Sequence, residues 1–263
     1  ALLADPLADD GADQRTMSLG DHLTELSRRL WVCVLAFLAV FIGGMFFYQE
    51  LWSAIRLPLR WAAASLGKPV EEYVHFQWLG PLDPFLAMAR VTLFGGFLLV
   101  LPILVYELWM FVAPGLTRRE RQALVTIFTA GSGLFLLGVA VAFFLALPVG
   151  LQWLLWFSGT LEGAVNQWTL DYYLGFVTLV CVGFGLAFET PLVMYALARV
   201  GLIGPQGLRR YWRHAILLIV VLAAIFTPPD PFTQIILASF LLVLYGIGYL
   251  LVCSAAKKRL AAD

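Results

Sequence analysis

The chain has 263 residues, 61% hydrophobic and only 13% charged, with 17 basic side chains balancing 17 acidic ones and a mean hydropathy of +0.86. A soluble domain is about 45–50% apolar and about 25% charged, so this composition is that of an integral membrane protein. Zero net charge gives no global attraction for nucleic acid, and the missing apolar–polar alternation excludes a β-barrel.

Residues 1–17 are acidic and polar. They lack the basic, apolar and small-residue order of a secretory signal and are expected to form a disordered cytoplasmic tail. Next, Leu19, Leu23, Leu26 and Leu30 recur at helical spacing and line one face, with Asp21, Glu25, Arg28 and Arg29 on others. This stretch reads as an amphipathic helix entering the membrane. Glu25 has two readings here: an i,i+4 ion pair with Arg29, or a receptor for an incoming cation.

About 20 apolar residues cross a bilayer. Six runs qualify or nearly so, at about 30–48, 86–112, 124–148, 172–198, 214–227 and 232–253. The fifth is short, implying a thinned bilayer or a sheltered helix. Between the first two runs, Leu51, Trp52, Ile55, Leu59 and Trp61 are spaced as in an interfacial helix that Pro58 interrupts. Residues 149–171 carry Trp153, Trp156 and Trp168, as an interfacial belt would. A tight turn, Thr227-Pro228-Pro229-Asp230-Pro231, joins the last two runs.

Lys and Arg set the orientation. Thirteen cations fall before the first run, between the second and third, between the fourth and fifth, and after the last, against three in the first opposite segment. Both termini are therefore expected in the cytoplasm, with residues 256–263 as a second tail. Glu120 is the lone acid in the two internal loops on that basic side, and it reads either as a solvated charge or as a cation receptor. Glu189 lies well inside the fourth run, before Thr190 and Pro191. A carboxylate at that depth costs several kcal/mol facing lipid, so it should face a cavity or a partner. Glu107 reads as interfacial. Cys33, Cys181 and Cys253 are far apart and read as packing, and His22, His75 and His214 fit no zinc spacing. There is no nucleophile elbow, phosphate-binding loop or paired aspartate site, so no catalytic residue, metal or cofactor is expected.

Five segments together resemble the TatC family, the signal-peptide receptor of the twin-arginine protein translocase. They are His22 to Leu26, Leu57-Pro58-Leu59, Pro102 through Glu120-Arg121, Phe188 to Pro191, and Thr227 to Asp230. The match runs in order over about residues 17–255. The resemblance implies an all-α membrane domain over 18–255, with six spans, both termini cytoplasmic and a concave, glove-like wall. Such a protein sits in the bacterial cytoplasmic (inner) membrane and forms homo-oligomers within a receptor complex. It implies that Glu25 and Glu120 receive the paired arginines of a signal peptide, with Phe111, Leu116 and Arg121 flanking them. Glu189 and Thr190 match a position that docks helices of TatA- and TatB-like partners, and Pro58 and Asp230 match outer-face positions. Assembly and transport would be driven by the proton motive force. The family commonly has Arg two residues after the first glutamate, where this chain has Ser27. A proton-coupled small-molecule transporter using Glu189 is the rival reading; it requires broken helices meeting at midplane, which Gly183, Gly185 and Pro191 would permit once.

Overall fold

The computed structural model describes residues 19–67, 69–112, 118–160, 166–227 and 231–260, with side chains except at 19–23, 109, 112, 118–127, 200 and 258–260. The expected tail at 1–17, together with Leu116 and Asp230, lies outside the described residues.

A backbone in lipid must satisfy its own hydrogen bonds, and helices dominate accordingly. Helix α1 (Leu19–Phe46) is followed by two short helices, α2 (Tyr48–Ile55) and α3 (Leu57–Ser65), then a single turn, α4 (Val70–Tyr73), and strand β1 (His75–Gln77). Helix α5 spans Asp83–Val112, and α6 (Arg118–Val141) passes through a π-helical turn (Ala142–Ala146) into α7 (Leu147–Gly159). Strand β2 (Gln167–Thr169), α8 (Leu170–Val200), α9 (Pro205–Arg210), α10 (Trp212–Phe226) and α11 (Pro231–Leu260) complete the order. Five segments are long and apolar enough to cross a membrane: Thr24–Phe46, Asp83–Leu108, Phe128–Gly159, Leu170–Arg199 and Pro231–Lys257. Helix α10 has 15 residues, about 22 Å at 1.5 Å per residue, short of the roughly 30 Å hydrocarbon core.

The break expected at Pro58 is present, but the chain resumes helix at once. Pro58 occupies the first turn of α3, where a missing N–H is harmless. Pro58 and Leu59 are buried, and the Tyr173 hydroxyl donates to the Ile55 carbonyl at the joint (2.8 Å). The rings of Trp52, Phe76 and Tyr173 meet edge-on at centroid distances of 5.6–6.5 Å. Strands β1 and β2 pair in parallel, His75 opposite Gln167, tying the two connecting segments together.

The third apolar run does not stop near residue 148. Pro148 cannot donate to the preceding turn, and the π-helical turn just before it absorbs the mismatch, so helix continues to Gly159. Trp153 consequently stacks between Phe157 (5.4 Å) and Phe232 (5.1 Å).

Helix α8 is the central element, packed most extensively on α11 and α6. It runs unbroken through Gly183, Gly185 and Pro191, which removes the interrupted helix that the transporter reading needs. Its glycines serve close approach instead. A Cβ on Gly185 would lie 2.6 Å from the Phe135 ring, and one on Gly183 would lie 2.8 Å from Phe226 Cβ. Gly138 of α6 faces the α8 main chain, with the Phe184 carbonyl oxygen 2.6 Å from where its Cβ would be. Helix α8 ends at Gly201, whose φ of 86° is left-handed and lets Leu202 N–H reach the Leu197 carbonyl.

This contact yields the first prediction. Gly138→Ala meets backbone that cannot rotate away, so it should destabilise the detergent-solubilised protein by about 1–3 kcal/mol. Gly133→Ala on the same helix meets nothing within 4 Å and should leave the melting temperature unchanged. Equal melting temperatures for the two variants would contradict the crossing.

Candidate functional site

The site is built where the start of α1 meets the end of α5. The two helices run antiparallel, in a register set by small side chains. A Cβ on Gly44 would sit 2.7 Å from Thr92 Cγ2, and one on Gly96 would sit 3.6 Å from Val40 Cγ1. Continuing that register toward the N-terminus of α1 brings Arg29 opposite Glu107. Thr92 is fully buried, and its hydroxyl donates to the Met88 carbonyl (2.9 Å), so its methyl is held against α1.

Arg29 is shared by two carboxylates. Its Nε and Nη2 both donate to Glu25 Oε1, at 3.1 and 2.6 Å, and its Nη1 donates to Glu107 Oε2 at 3.0 Å. All three side chains are mostly covered, with 15–20% of each exposed. The other oxygen of Glu25, Oε2, is buried without a hydrogen-bond partner among the described residues. Arg28 points outward and Ser27 is exposed, so neither enters this cluster. The i,i+4 pair between Glu25 and Arg29 is therefore present, joined by an acid from a distant helix.

Phe111 lies one turn beyond Glu107 on α5 and is partly buried. Glu120 and Arg121 belong to the first turn of α6, but their side chains lie outside the described residues, as does Leu116. The structure thus brings Glu25 and Glu107 together and describes no contact of Glu120. Sequence reasoning read Glu107 as interfacial and did not assign it to a site. The available signal was a lone acid at the end of an apolar run on the arginine-rich side.

A second feature lies between α6 and α8. Glu189 lines a groove of about 380 Å³ with Gly131, Ser132, Phe135, Leu192 and Val193. A Cβ on Gly131 would come within 3.2 Å of Glu189 Oε2, so this glycine makes room for the carboxyl. Thr190 is partly buried beside it and Pro191 is buried. Pro58 is fully buried between the short helices, and Asp230 lies outside the described residues. No group of three or more potential metal ligands occurs among the described residues.

These features define a class: a multi-span helical membrane protein whose polar residues gather in an acid–arginine–acid cluster at one end and a carboxyl-bearing groove in its wall. The family described as "Sec-independent protein translocase protein (TatC)" matches residues 21–239. The TatC protein of Aquifex aeolicus is 32% identical over 243 residues, covering 92% of this chain and 98% of that protein. The TatC protein of Helicobacter pylori strain J99 is 31% identical over 233 residues, covering 89% and 88%. Among solved structures, a crystal structure of the twin-arginine translocase receptor TatC superposes with a TM-score of 0.72 at 31% identity, covering 89% of this chain and 99% of that one. The chain belongs to the TatC family.

The register argument can be tested directly. Gly44→Ala should destabilise the protein by about 1–3 kcal/mol through its contact with the Thr92 methyl. Adding Thr92→Ser, which deletes that methyl and keeps the hydroxyl, should recover most of the loss in thermal unfolding. Failure of the rescue would show that this contact does not set the α1–α5 register.

Proposed function

We propose that this translocase component is the receptor for paired-arginine signal peptides, binding them at its cytoplasmic face and nucleating assembly with TatA- and TatB-like subunits. It is not an enzyme. In this reading it spans the bacterial cytoplasmic membrane six times, with α10 as the short fifth span and both termini inside. The excess of Lys and Arg on one set of connections supports that orientation. Transport of folded cargo by the assembled complex, with several copies of this chain, is driven by the proton motive force.

One observation carries the receptor reading: Glu25 already holds a guanidinium. Two guanidinium nitrogens of Arg29 already donate to Oε1, and Oε2 is buried with no partner among the described residues, which supports reading this acid as a guanidinium receptor. A carboxylate accepts an arginine fork with two parallel hydrogen bonds, a match that the ammonium of lysine cannot reproduce. Glu120 supplies the second acid of the pair in this proposal, with Phe111 and Leu116 against the apolar part of the leader and Arg121 flanking. The surrounding basic residues penalise other placements. Pro58, at the α2–α3 joint, and Asp230 belong to the outer face in this reading.

Glu189 and Thr190 serve a separate task, docking a partner transmembrane helix. A polar group of that helix would hydrogen-bond the carboxyl in the groove between α6 and α8, where, among the described residues, Ser132 is the other polar side chain of a mostly apolar wall.

Two experiments test these assignments. Glu25→Ala and Glu120→Ala should each abolish site-specific crosslinking to a signal peptide bearing two arginines; undiminished crosslinking in both would overturn the receptor site. Glu189→Leu should reduce co-purification of a partner subunit severalfold while signal crosslinking persists. Loss of both signals together would instead assign Glu189 to folding.

A further inference from the structure

We infer that Arg29 is an internal stand-in for the signal's arginine, and that Glu107 takes Arg29 over when Glu25 is given up to the incoming peptide. This rests on the reading of Glu25 as a signal-binding acid.

The cluster holds two carboxylates against one guanidinium, so one negative charge is uncompensated among the described residues. Arg29 contacts both acids at once, through different nitrogens. It can therefore leave Glu25 without losing an anionic partner, because its hold on Glu107 persists. A mostly covered cation that loses its only partner bears a large desolvation penalty; one passed between two acids does not. The hydrogen bonds at Glu25 are also lopsided. Two donors crowd Oε1, whereas Oε2 is buried with none among the described residues. An unpartnered buried acceptor is costly, so the resting cluster is left improvable by a second donor.

The consequence is selectivity. While the site is empty, Arg29 keeps Glu25 neutralised. To take Glu25, a ligand must outcompete a guanidinium already held by two hydrogen bonds. Another guanidinium, with its fork of donors, can do so; an ammonium brings a point charge and no matching fork. The internal competitor lowers affinity for every cation by the same factor, so a weakly held ammonium drops below useful binding while a guanidinium, the better ligand of a carboxylate, stays above it. Glu107 is then a positioning residue that acts through Arg29, not a contact of the signal.

The test uses the full chain in nanodiscs of one zwitterionic and one anionic phospholipid, with fluorescent leader peptides bearing two arginines or two lysines. Glu107→Gln should weaken binding of the arginine peptide about tenfold, the scale of one charge-assisted hydrogen bond, because Arg29 then has only Glu25. Arg29→Gln should tighten binding of both peptides by a common factor, with the arginine-to-lysine ratio unchanged. Arg29→Lys, which retains the charge but offers no fork, should tighten both by a smaller common factor. The double variant Arg29→Gln/Glu107→Gln should bind like Arg29→Gln alone, since Glu107 matters only while Arg29 is present. A tenfold loss on adding Glu107→Gln to Arg29→Gln would overturn the inference, by placing Glu107 on the signal itself. Unchanged affinity for both peptides in both Arg29 variants would overturn it too, leaving Arg29 a structural ion pair. Glu25→Gln separates the two levels: if it binds the arginine peptide as tightly as the unaltered chain, the receptor site itself fails, whatever Arg29 does.

Discussion

In a chain surrounded by hydrocarbon, burying one apolar side chain against another gains little over leaving it in lipid. Close approach of backbones therefore decides which helix faces which, and in what register. Two crossings carry that role here. At Gly138 the α8 main chain comes so near α6 that no side chain fits between. At Gly44 the α1 backbone lies against the Thr92 methyl, and the register established there places Arg29 beside Glu107 fifteen residues farther along each helix. The polar cluster thus depends on apolar geometry more than 20 Å away, at 1.5 Å per residue.

The same economy applies to charge. Outside water, an acid needs either a cation or a cavity, and the described part of the chain uses both. Glu25 and Glu107 share Arg29 where the start of α1 meets the end of α5, while Glu189 opens onto a mostly apolar groove made roomy by Gly131. By contrast, the exposed pair of Arg90 and Asp171, at 2.6 Å, is solvated on both sides and contributes little. Burial gives the first two acids the character of sites.

Much of this was legible in one dimension. Hydropathy located the long spans, because length and apolarity are the physical requirements for crossing a bilayer. Proline chemistry marked the α2–α3 joint, since a missing N–H cannot be hidden mid-helix. Other features were not. Pro148 and the tryptophans after residue 149 read as the end of a span, yet a π-helical turn lets the helix absorb Pro148 and continue. Gly183 and Gly185 would have permitted a break, yet they are contact points for Phe226 and Phe135. A glycine has the same letter in a hinge and in a crossing, and only its neighbours tell them apart.

The residues by themselves determined that this is a helical membrane protein, which segments are long and apolar enough to cross a bilayer, and that Glu25 and Arg29 lie one turn apart on one helix. Those properties depend on local spacing and on transfer from water to lipid. That Glu107, 78 positions from Arg29, completes the cluster was decided by tertiary structure alone. Nothing in the order of residues states a distance between helices; the register of two packed backbones does.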